Sequence, residues 1–171
     1  MRRAILLSLV GIAVGAGAAS GQTPSEYRQE PWTTCEKAGS EGAVAACTSI
    51  IQNPKTKAVD LVPAHVLRGR AFSVKRQTDN ALRDFGEALR LNPRYLMAYE
   101  SRGRFLLNLG QYDRALQDFD LALEIRPNFI PALMGRSEIF WRQGDFARGL
   151  READAIVKVD PRYAPGYSAR C

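Results

Sequence analysis

The chain has 171 residues, 46% of them apolar, which is enough for one small domain or a short stack of repeats. Its formal net charge is +6, but acidic and basic residues are interspersed and no basic run occurs. A mild positive excess of this kind is ordinary for a soluble surface and is weak evidence for a nucleic-acid-binding protein.

The first 21 residues, MRRAILLSLVGIAVGAGAASG, have the layout of a secretory signal peptide. Two arginines precede an apolar run, and small residues follow it. The run is shorter than the roughly 20 apolar residues that a membrane span needs, so an uncleaved anchor is disfavoured. We therefore predict that residues 1–21 are a signal peptide cleaved after Ala18 or Gly21, and that the protein is exported to the periplasm or secreted.

The segment that follows contains two cysteines before any repeat begins. We predict a disordered linker for residues 22–34 and a degenerate helical hairpin for residues 35–61, which includes Cys35 and Cys47. In an exported protein this pair is most simply a disulfide. Metal binding lacks ligands, and redox motifs have more closely spaced cysteines. A third cysteine, Cys171, is left as either a free thiol or an intermolecular bridge.

Three similar segments come next at a fixed spacing. QTDNALRDFGEALRLNP, LGQYDRALQDFDLALEIRP and QGDFARGLREADAIVKVDP close at Pro93, Pro127 and Pro161, and 127 − 93 = 161 − 127 = 34. A fixed period of this size indicates an array of repeats. The period divides the chain into unit one at residues 62–95, unit two at 96–129 and unit three at 130–163.

Each unit is predicted to be two helices joined by a tight turn. The first helix has small residues at its third and eighth places and a large residue at its eleventh, all on one face. Small residues there let the second helix approach closely. Asp79, Asp113 and Asp145 lie near the start of each second helix and are expected to accept hydrogen bonds from its free N–H groups. Because one hairpin cannot bury its apolar face alone, neighbouring units must stack.

In each unit, an arginine of the first helix precedes an acidic residue of the second helix by the same number of positions, since 84 − 68 = 118 − 102 = 152 − 136 = 16. The pairs are Arg68 with Asp84, Arg102 with Asp118, and Arg136 with Glu152. We predict one semi-buried ion pair per unit, for which the guanidinium fork is suited. The alternative, a ladder of ligand-binding arginines, is disfavoured because each arginine has its own acid.

The last twelve residues, DPRYAPGYSARC, mirror NPRYLMAYESRG at the start of unit two. Residues 164–171 are therefore predicted to be the stub of a truncated fourth unit. Repeat arrays normally need a polar capping helix. Without one, we expect the face formed by Leu150, Ile156 and Val157 to be partly uncovered, giving marginal stability or a surface for self-association.

The motifs Ala-x-Tyr-x-x-Arg-Gly, Gly-x-Tyr-x-x-Ala-x-x-x-Phe-x-x-Ala and a closing Pro resemble the tetratricopeptide repeat. Unit two matches almost fully, unit one well, and unit three loosely because Gly149, Ala153 and Ile156 depart from the pattern. The resemblance implies an all-α, right-handed solenoid of antiparallel helix pairs that holds peptide segments of partner proteins. The segment around Cys35 and Cys47 resembles the cysteine-containing N-terminal hairpin of some exported bacterial proteins of this family.

In this family the concave groove is lined by fixed positions of each first helix. The resemblance therefore implies a set of partner-binding residues: Arg70, Met97, Glu100, Arg104, Leu107, Asn108, Glu138, Trp141 and Arg142. The lysine and asparagines with which some relatives grip a C-terminal carboxylate are replaced by Val66, Arg70 and Ser101. Arginines beside aromatic and apolar residues suggest a peptide with acidic and apolar side chains. Packing of Trp141 on Tyr167 is the alternative for that residue.

No nucleophile with a base, phosphate loop or pair of catalytic acids is found, and the single histidine, His65, falls in a packing stripe. We predict an exported interaction module or scaffold that is not an enzyme and needs no cofactor or metal. A structural homo-oligomer formed through the uncapped C-terminal repeat is one alternative. RNA binding is another, and it is disfavoured by export and by Glu100 and Glu138 in the groove.

Overall fold

The computed structural model describes residues 26–163, and this part of the chain consists of eight α-helices without a strand. They are α1 (Glu26–Glu36), α2 (Ala43–Gln52), α3 (Ala58–Val74), α4 (Thr78–Leu91), α5 (Leu96–Asn108), α6 (Tyr112–Ile125), α7 (Ile130–Arg142) and α8 (Phe146–Val159). Consecutive helices pack as pairs, and α1, α3, α5 and α7 also pack on one another in series. The predicted all-α solenoid is confirmed. The predicted signal peptide and the C-terminal stub lie outside the described residues.

The 34-residue period is visible in the helix boundaries. The second helices α4, α6 and α8 begin at Thr78, Tyr112 and Phe146, and α5 and α7 begin at Leu96 and Ile130. The helix α3 of unit one is longer than its counterparts α5 and α7 and begins at Ala58. Units one, two and three are therefore the pairs α3–α4, α5–α6 and α7–α8.

The turns inside the units share one backbone conformation. Gly110 and Gly144 have φ values of 73° and 78°, and Arg76, at the same place in unit one, has a φ of 58°. This left-handed conformation costs a residue with a Cβ roughly 1–2 kcal/mol, whereas glycine adopts it freely. Unit one therefore has the same turn as the others but with a strained residue in it.

Only one of the three aspartates expected to cap a second helix does so. Asp145 is the N-cap of α8, and its carboxylate accepts a hydrogen bond of 2.9 Å from the backbone N–H of Arg148. Asp79 and Asp113 lie inside the first turns of α4 and α6, whose N-caps make no side-chain hydrogen bond. The prediction was wrong for Asp79 and Asp113 because they are not equivalent to Asp145 in the repeat. Since 113 + 34 = 147, the counterpart of Asp113 in unit three is Ala147, and Asp145 lies before it at the N-cap place.

The two helices of units one and two pack tightly where a glycine of the first helix meets a phenylalanine ring of the second. A Cβ added to Gly69 would lie 2.7 Å from the ring of Phe85, and one added to Gly103 would lie 2.9 Å from the ring of Phe119. Phe119 also packs against Gly135 in the next unit. The phenylalanine of unit two therefore touches its own first helix and that of unit three.

Unit three achieves the same approach with different residues. Ser137 takes the place of Gly103, and Ala153 takes the place of Phe119, so the serine side chain has room. Its hydroxyl donates a hydrogen bond of 3.1 Å to the carbonyl oxygen of Gly149 in α8. The loose match of this unit to the repeat pattern thus reflects a paired exchange of residues rather than a lost contact.

The N-terminal hairpin contains the disulfide. The sulfurs of Cys35 and Cys47 are bonded and their Cα atoms lie 4.9 Å apart. Since 35 + 34 = 69 and 47 + 34 = 81, the cysteines occupy the places of Gly69 and Ala81 in unit one. A disulfide needs Cα atoms about 4.4–6.8 Å apart, and the packing of α1 on α2 brings the two cysteines within that range. By loop-closure arithmetic the bond contributes about 3 kcal/mol to the hairpin.

The linker predicted for residues 22–34 is corrected by α1, which begins at Glu26. Trp32 packs on a buried cluster that includes both cysteines, Ile50 and, from α3, Ala64. These tertiary contacts stabilise a helix that contains Pro31 and has weak periodicity of its own.

The predicted ion pairs within the units are confirmed. The Arg68 and Arg102 guanidiniums each donate two hydrogen bonds, of 2.7–2.9 Å, to the carboxylates of Asp84 and Asp118. Arg136 differs, because it pairs with Glu152 at 2.7 Å and also with Asp120 of unit two at 3.0 Å. Arg68, Arg102 and Arg136 therefore each form an ion pair within the solenoid.

The pair in unit one is part of a larger buried network. Asp84 also contacts the Nδ1 atom of His65 at 2.9 Å, and Arg68 donates to the Thr48 hydroxyl of α2 at 3.1 Å. Burial raises the pKa of the Asp84 carboxyl, but the hydrogen bonds from Arg68 and His65 outweigh it and hold that pKa below its ordinary value. At Glu152, burial raises the pKa and Arg136 does not offset the effect.

The face of α8 that faces away from unit two is only partly covered by the described residues. Leu150 is 40% exposed, and Val157 is half-buried. Ile156 is fully buried, which corrects its assignment to the uncovered face. Within residues 26–163, no helix is both long and apolar enough to span a bilayer.

We expect Asp84→Asn to lower the free energy of unfolding at pH 7 by about 3 kcal/mol, because Arg68 would lose its buried counter-charge. Since the folded-state pKa of Asp84 is lowered, its contribution is present above the ordinary carboxyl value of 3.8 and is lost as pH falls through the folded-state pKa. Urea unfolding at several pH values measures both effects.

The matched control is Glu87→Gln, which removes an exposed ion pair with Arg90 and should change the unfolding free energy by less than about 0.5 kcal/mol. A difference between wild type and Asp84→Asn that stays constant down to pH 2 would contradict the assignment.

Candidate peptide-binding groove

A cavity of about 350 Å³ lies between α3 and α5 and is bounded by the loop between α1 and α2. Ten residues line it: Ala38, Arg70, Ser73, Val74, Met97, Glu100, Ser101, Arg104, Phe105 and Asn108. We call this cavity the groove. Apart from Ala38, the lining residues belong to α3 and α5, which are the first helices of the neighbouring units one and two.

The charges in the groove are unevenly matched. The Nε atom of Arg104 donates to Glu100 at 2.9 Å, and the Ser101 hydroxyl lies 3.3 Å from the other oxygen of that carboxylate. The exposed guanidinium of Arg70 has no hydrogen bond or ion pair with any residue that the structure describes. The groove therefore contains one balanced ion pair and one uncompensated positive charge.

Apolar side chains flank the unpaired arginine. Val74 is 60% exposed one turn further along α3, and Met97 on α5 is 40% exposed. Exposed apolar surface beside a cation is the combination that protein interfaces favour. The groove thus offers both charge recognition and apolar contact.

The structure brings five of the predicted partner-binding residues together in the groove. They are Arg70, Met97, Glu100, Arg104 and Asn108. Leu107 does not join them, because it is 1% exposed and packs in the core with Phe119 and Ala132. This corrects its assignment: the twelfth place of α5 points towards the core formed with α6 and α7.

The structure also places Trp141 outside the groove. Its ring lies against Phe146, with centroids 5.1 Å apart, and its indole nitrogen would be 2.9 Å from a Cβ added to Gly149. The indole N–H is buried and has no hydrogen-bond partner in the described residues. Trp141 therefore packs within unit three. The alternative contact with Tyr167 lies outside residues 26–163.

Glu138 and Arg142 form a separate group. Arg142 donates to Glu138 at 2.6 Å, one helical turn away on α7. Arg142 lines a second depression of about 830 Å³, together with Tyr112 and Phe146. The residues predicted as one site are therefore divided into three groups. One group lines the groove, Leu107 is in the core, and the others lie in unit three on α7.

The sequence analysis missed Ala38 as a groove residue. Because 38 + 34 = 72, Ala38 corresponds to Phe72 of α3 when the frame is extended one period towards the N-terminus. Phe72 is at the eleventh place of its unit, which is a packing place, and it does not line the groove, so the repeat spacing contains no signal for Ala38. In the described part of the chain, no cluster of three or more His, Cys, Asp or Glu side chains could hold a metal ion.

A tetratricopeptide repeat family model matches residues 66–128, which span most of units one and two. These units are tetratricopeptide repeats. A search among curated proteins finds no match to the chain. Tetratricopeptide repeats are protein-interaction modules that bind partner peptides or proteins and are generally non-catalytic, which agrees with the prediction that the chain is not an enzyme.

Solved tetratricopeptide structures share the fold of the whole array. TTC0263, a thermophilic tetratricopeptide protein of Thermus thermophilus, is 17% identical, with a TM-score of 0.69 over 85% of this chain and 84% of that one. MamA from Desulfovibrio magneticus RS-1 is 18% identical, with a TM-score of 0.67 over 85% of this chain and 80% of that one. The TPR2B domain of yeast Sti1, in a complex with pHsp70, is 26% identical, with a TM-score of 0.56 over 64% of this chain and 87% of that one.

The packing of Trp141 on Gly149 generates a test of its structural role. At the same places unit two has Leu107 and Ala115. Gly149→Ala should lower the free energy of unfolding by about 2 kcal/mol through overpacking. In the double variant Trp141→Leu/Gly149→Ala, which restores the unit-two pair, we expect a favourable coupling of about 1 kcal/mol or more in a double-mutant cycle.

Gly86→Ala is the matched control, because a Cβ there would meet nothing within 4 Å. It should leave stability unchanged or raise it by up to about 1 kcal/mol, since alanine is the better helix former. Strict additivity of the Trp141 and Gly149 effects would show that the two residues do not share one packing site.

Proposed function

We propose that the protein is an exported interaction module that binds an extended peptide segment of a partner protein in the groove, with an acidic side chain of the peptide at Arg70. The observation that supports this proposal is the unpaired, exposed guanidinium of Arg70 in a cavity whose other charges are balanced. The fold and family support the general role, and the contacts in the groove support the peptide chemistry.

The acidic preference follows from the charge balance of the groove. Glu100 already receives hydrogen bonds from Arg104 and Ser101, so a second cation in the ligand gains little there. A carboxylate at Arg70 would meet a guanidinium that is free to form two parallel hydrogen bonds. The peptide therefore needs an aspartate or glutamate at one position of the segment.

The apolar preference follows from Val74 and Met97, which flank Arg70 on two different helices. Side chains of leucine, methionine or valine next to the acidic residue would cover this surface and exclude water from the ion pair. The helices that present these residues are packed in the solenoid, so the groove loses little conformational freedom on binding. The partner segment bears most of the ordering cost.

We expect Arg70→Ala to weaken binding of such a peptide by roughly tenfold or more, because the carboxylate loses its charge-assisted partner. The probe is a fluorescein-labelled consensus peptide chosen by selection of a random displayed library on the wild-type protein. Fluorescence polarisation gives its dissociation constant.

The control is Arg83→Ala, which removes an exposed arginine of α4 that does not line the groove. It should leave the dissociation constant within about twofold. Selected peptides without acidic residues, or equal weakening by both variants, would rule out the proposed role of Arg70.

Export is the second part of the proposal. The arginine pair and apolar run at the N-terminus support it, and so does the Cys35–Cys47 disulfide, because such bonds persist in oxidising compartments. We expect the full chain, expressed in a bacterium, to be recovered from the periplasm with its N-terminus at residue 19 or 22. Intact-mass analysis measures this, and a full-length cytosolic product would contradict it.

A further inference from the structure

We propose that the N-terminal hairpin α1–α2 is one wall of the peptide-binding groove and that the Cys35–Cys47 disulfide holds this wall in place. Peptide affinity then depends on the oxidation state of the cysteine pair. The inference rests on the proposed function of the groove, and it adds a structural element and a regulation that this function does not require.

The wall is formed by the loop that the disulfide closes. Ala38 lies three residues after Cys35 and lines the groove together with Arg70 and Val74. The loop from Lys37 to Gly42 joins α1 to α2, and both helices contact α3. A peptide bound at Arg70 would therefore lie beside this loop.

The disulfide replaces the links that hold the other hairpins together. Since 34 + 34 = 68 and 50 + 34 = 84, Thr34 and Ile50 occupy the places of Arg68 and Asp84. The hairpin α1–α2 therefore has no counterpart of the ion pair found in unit one. Its cysteines are fully buried at the centre of the cluster between α1, α2 and α3.

The hairpin packs on unit one mainly through α2 against α3, and α1 contacts α3 less extensively. Thr48 accepts a hydrogen bond of 3.1 Å from Arg68, and Leu67 of α3 packs on the same cluster as Trp32 and the two cysteines. If the disulfide is opened, α1 is left with its non-covalent packing on α2 and α3. The loop that contains Ala38 then loses its fixed position beside Arg70.

The chemical step is a thiol–disulfide exchange with an external dithiol such as dithiothreitol. The two dithiothreitol thiols give up two electrons and two protons and form an internal disulfide. The Cys35–Cys47 bond breaks, and each sulfur takes one electron and one proton to become a thiol. Because the pair is buried, reduction requires opening of the hairpin, which is the same motion that displaces the wall.

The experiment compares oxidised and reduced protein in a Cys171→Ser background, so that only one cysteine pair reacts. The probe is the selected acidic and apolar peptide used with Arg70→Ala. We expect reduction, or the variant Cys35→Ser/Cys47→Ser, to weaken its binding about tenfold. Hydrogen–deuterium exchange, which needs no peptide, should become faster in residues 32–52 while residues 96–142 keep their protection.

A second variant tests the wall with the disulfide intact. Ala38→Asp places a negative charge beside Arg70 and should weaken binding of the acidic peptide, whereas Ala38→Lys should not. The control Ala45→Asp, at an exposed place on α2, should leave affinity unchanged. This arm does not depend on how well the reduced hairpin folds.

The outcomes separate the two proposals. Unchanged exchange in residues 32–52 on reduction overturns the role of the disulfide, whatever the peptide does. Unchanged affinity on reduction, together with weakening by Arg70→Ala, overturns the inference and leaves the proposed function standing. Equal effects of Arg70→Ala and Arg83→Ala remove the proposed function, and the exchange measurement still decides whether the disulfide holds the hairpin.

Discussion

Close contact between the two helices of each hairpin is the constraint on which the rest of the structure depends. Gly69 and Gly103 leave no room for a Cβ against the rings of Phe85 and Phe119, so each ring packs directly on the backbone of the first helix. This nearness brings the arginine of the first helix within hydrogen-bond distance of the acid on the second. It also sets the first helices side by side, where they form the groove.

The same contact is made in different chemical ways along the chain. Units one and two use glycine against phenylalanine, and unit three uses Ser137, which donates a hydrogen bond to the backbone of α8. The N-terminal hairpin uses a covalent bond between Cys35 and Cys47. The same place in the 34-residue frame therefore holds the two helices of a hairpin together by ring packing, by a hydrogen bond or by a covalent bond.

The arginines of the protein fall into two groups with different consequences. Arg68, Arg102 and Arg136 face acids within the solenoid and are used for its stability. Arg70 lies two residues after Arg68, on a different face of α3, and meets no acid in the described chain. A difference of two positions on a helix thus separates a structural cation from one that is available to a partner.

Periodicity predicted the hairpins and ion pairs, because both follow from which residues share a helical face. It could not predict the depth of burial of Leu107 or Trp141, since that depends on how far a neighbouring helix covers the face. The helix α1 was missed because its stability comes from contacts of Trp32 with other elements. Ala38 was missed because its counterpart in the 34-residue frame, Phe72, occupies a packing place, so periodicity does not mark it as a groove residue.

The replacement of phenylalanine by Ala153 has a consequence for how the array comes apart. Phe119 bridges units two and three through Gly135, whereas Ala153 has no ring with which to reach beyond its own pair. The opposite end is closed by a covalent bond. Within the described residues, we therefore expect local thermal opening to need less free energy in α7–α8 than in the cross-linked hairpin α1–α2.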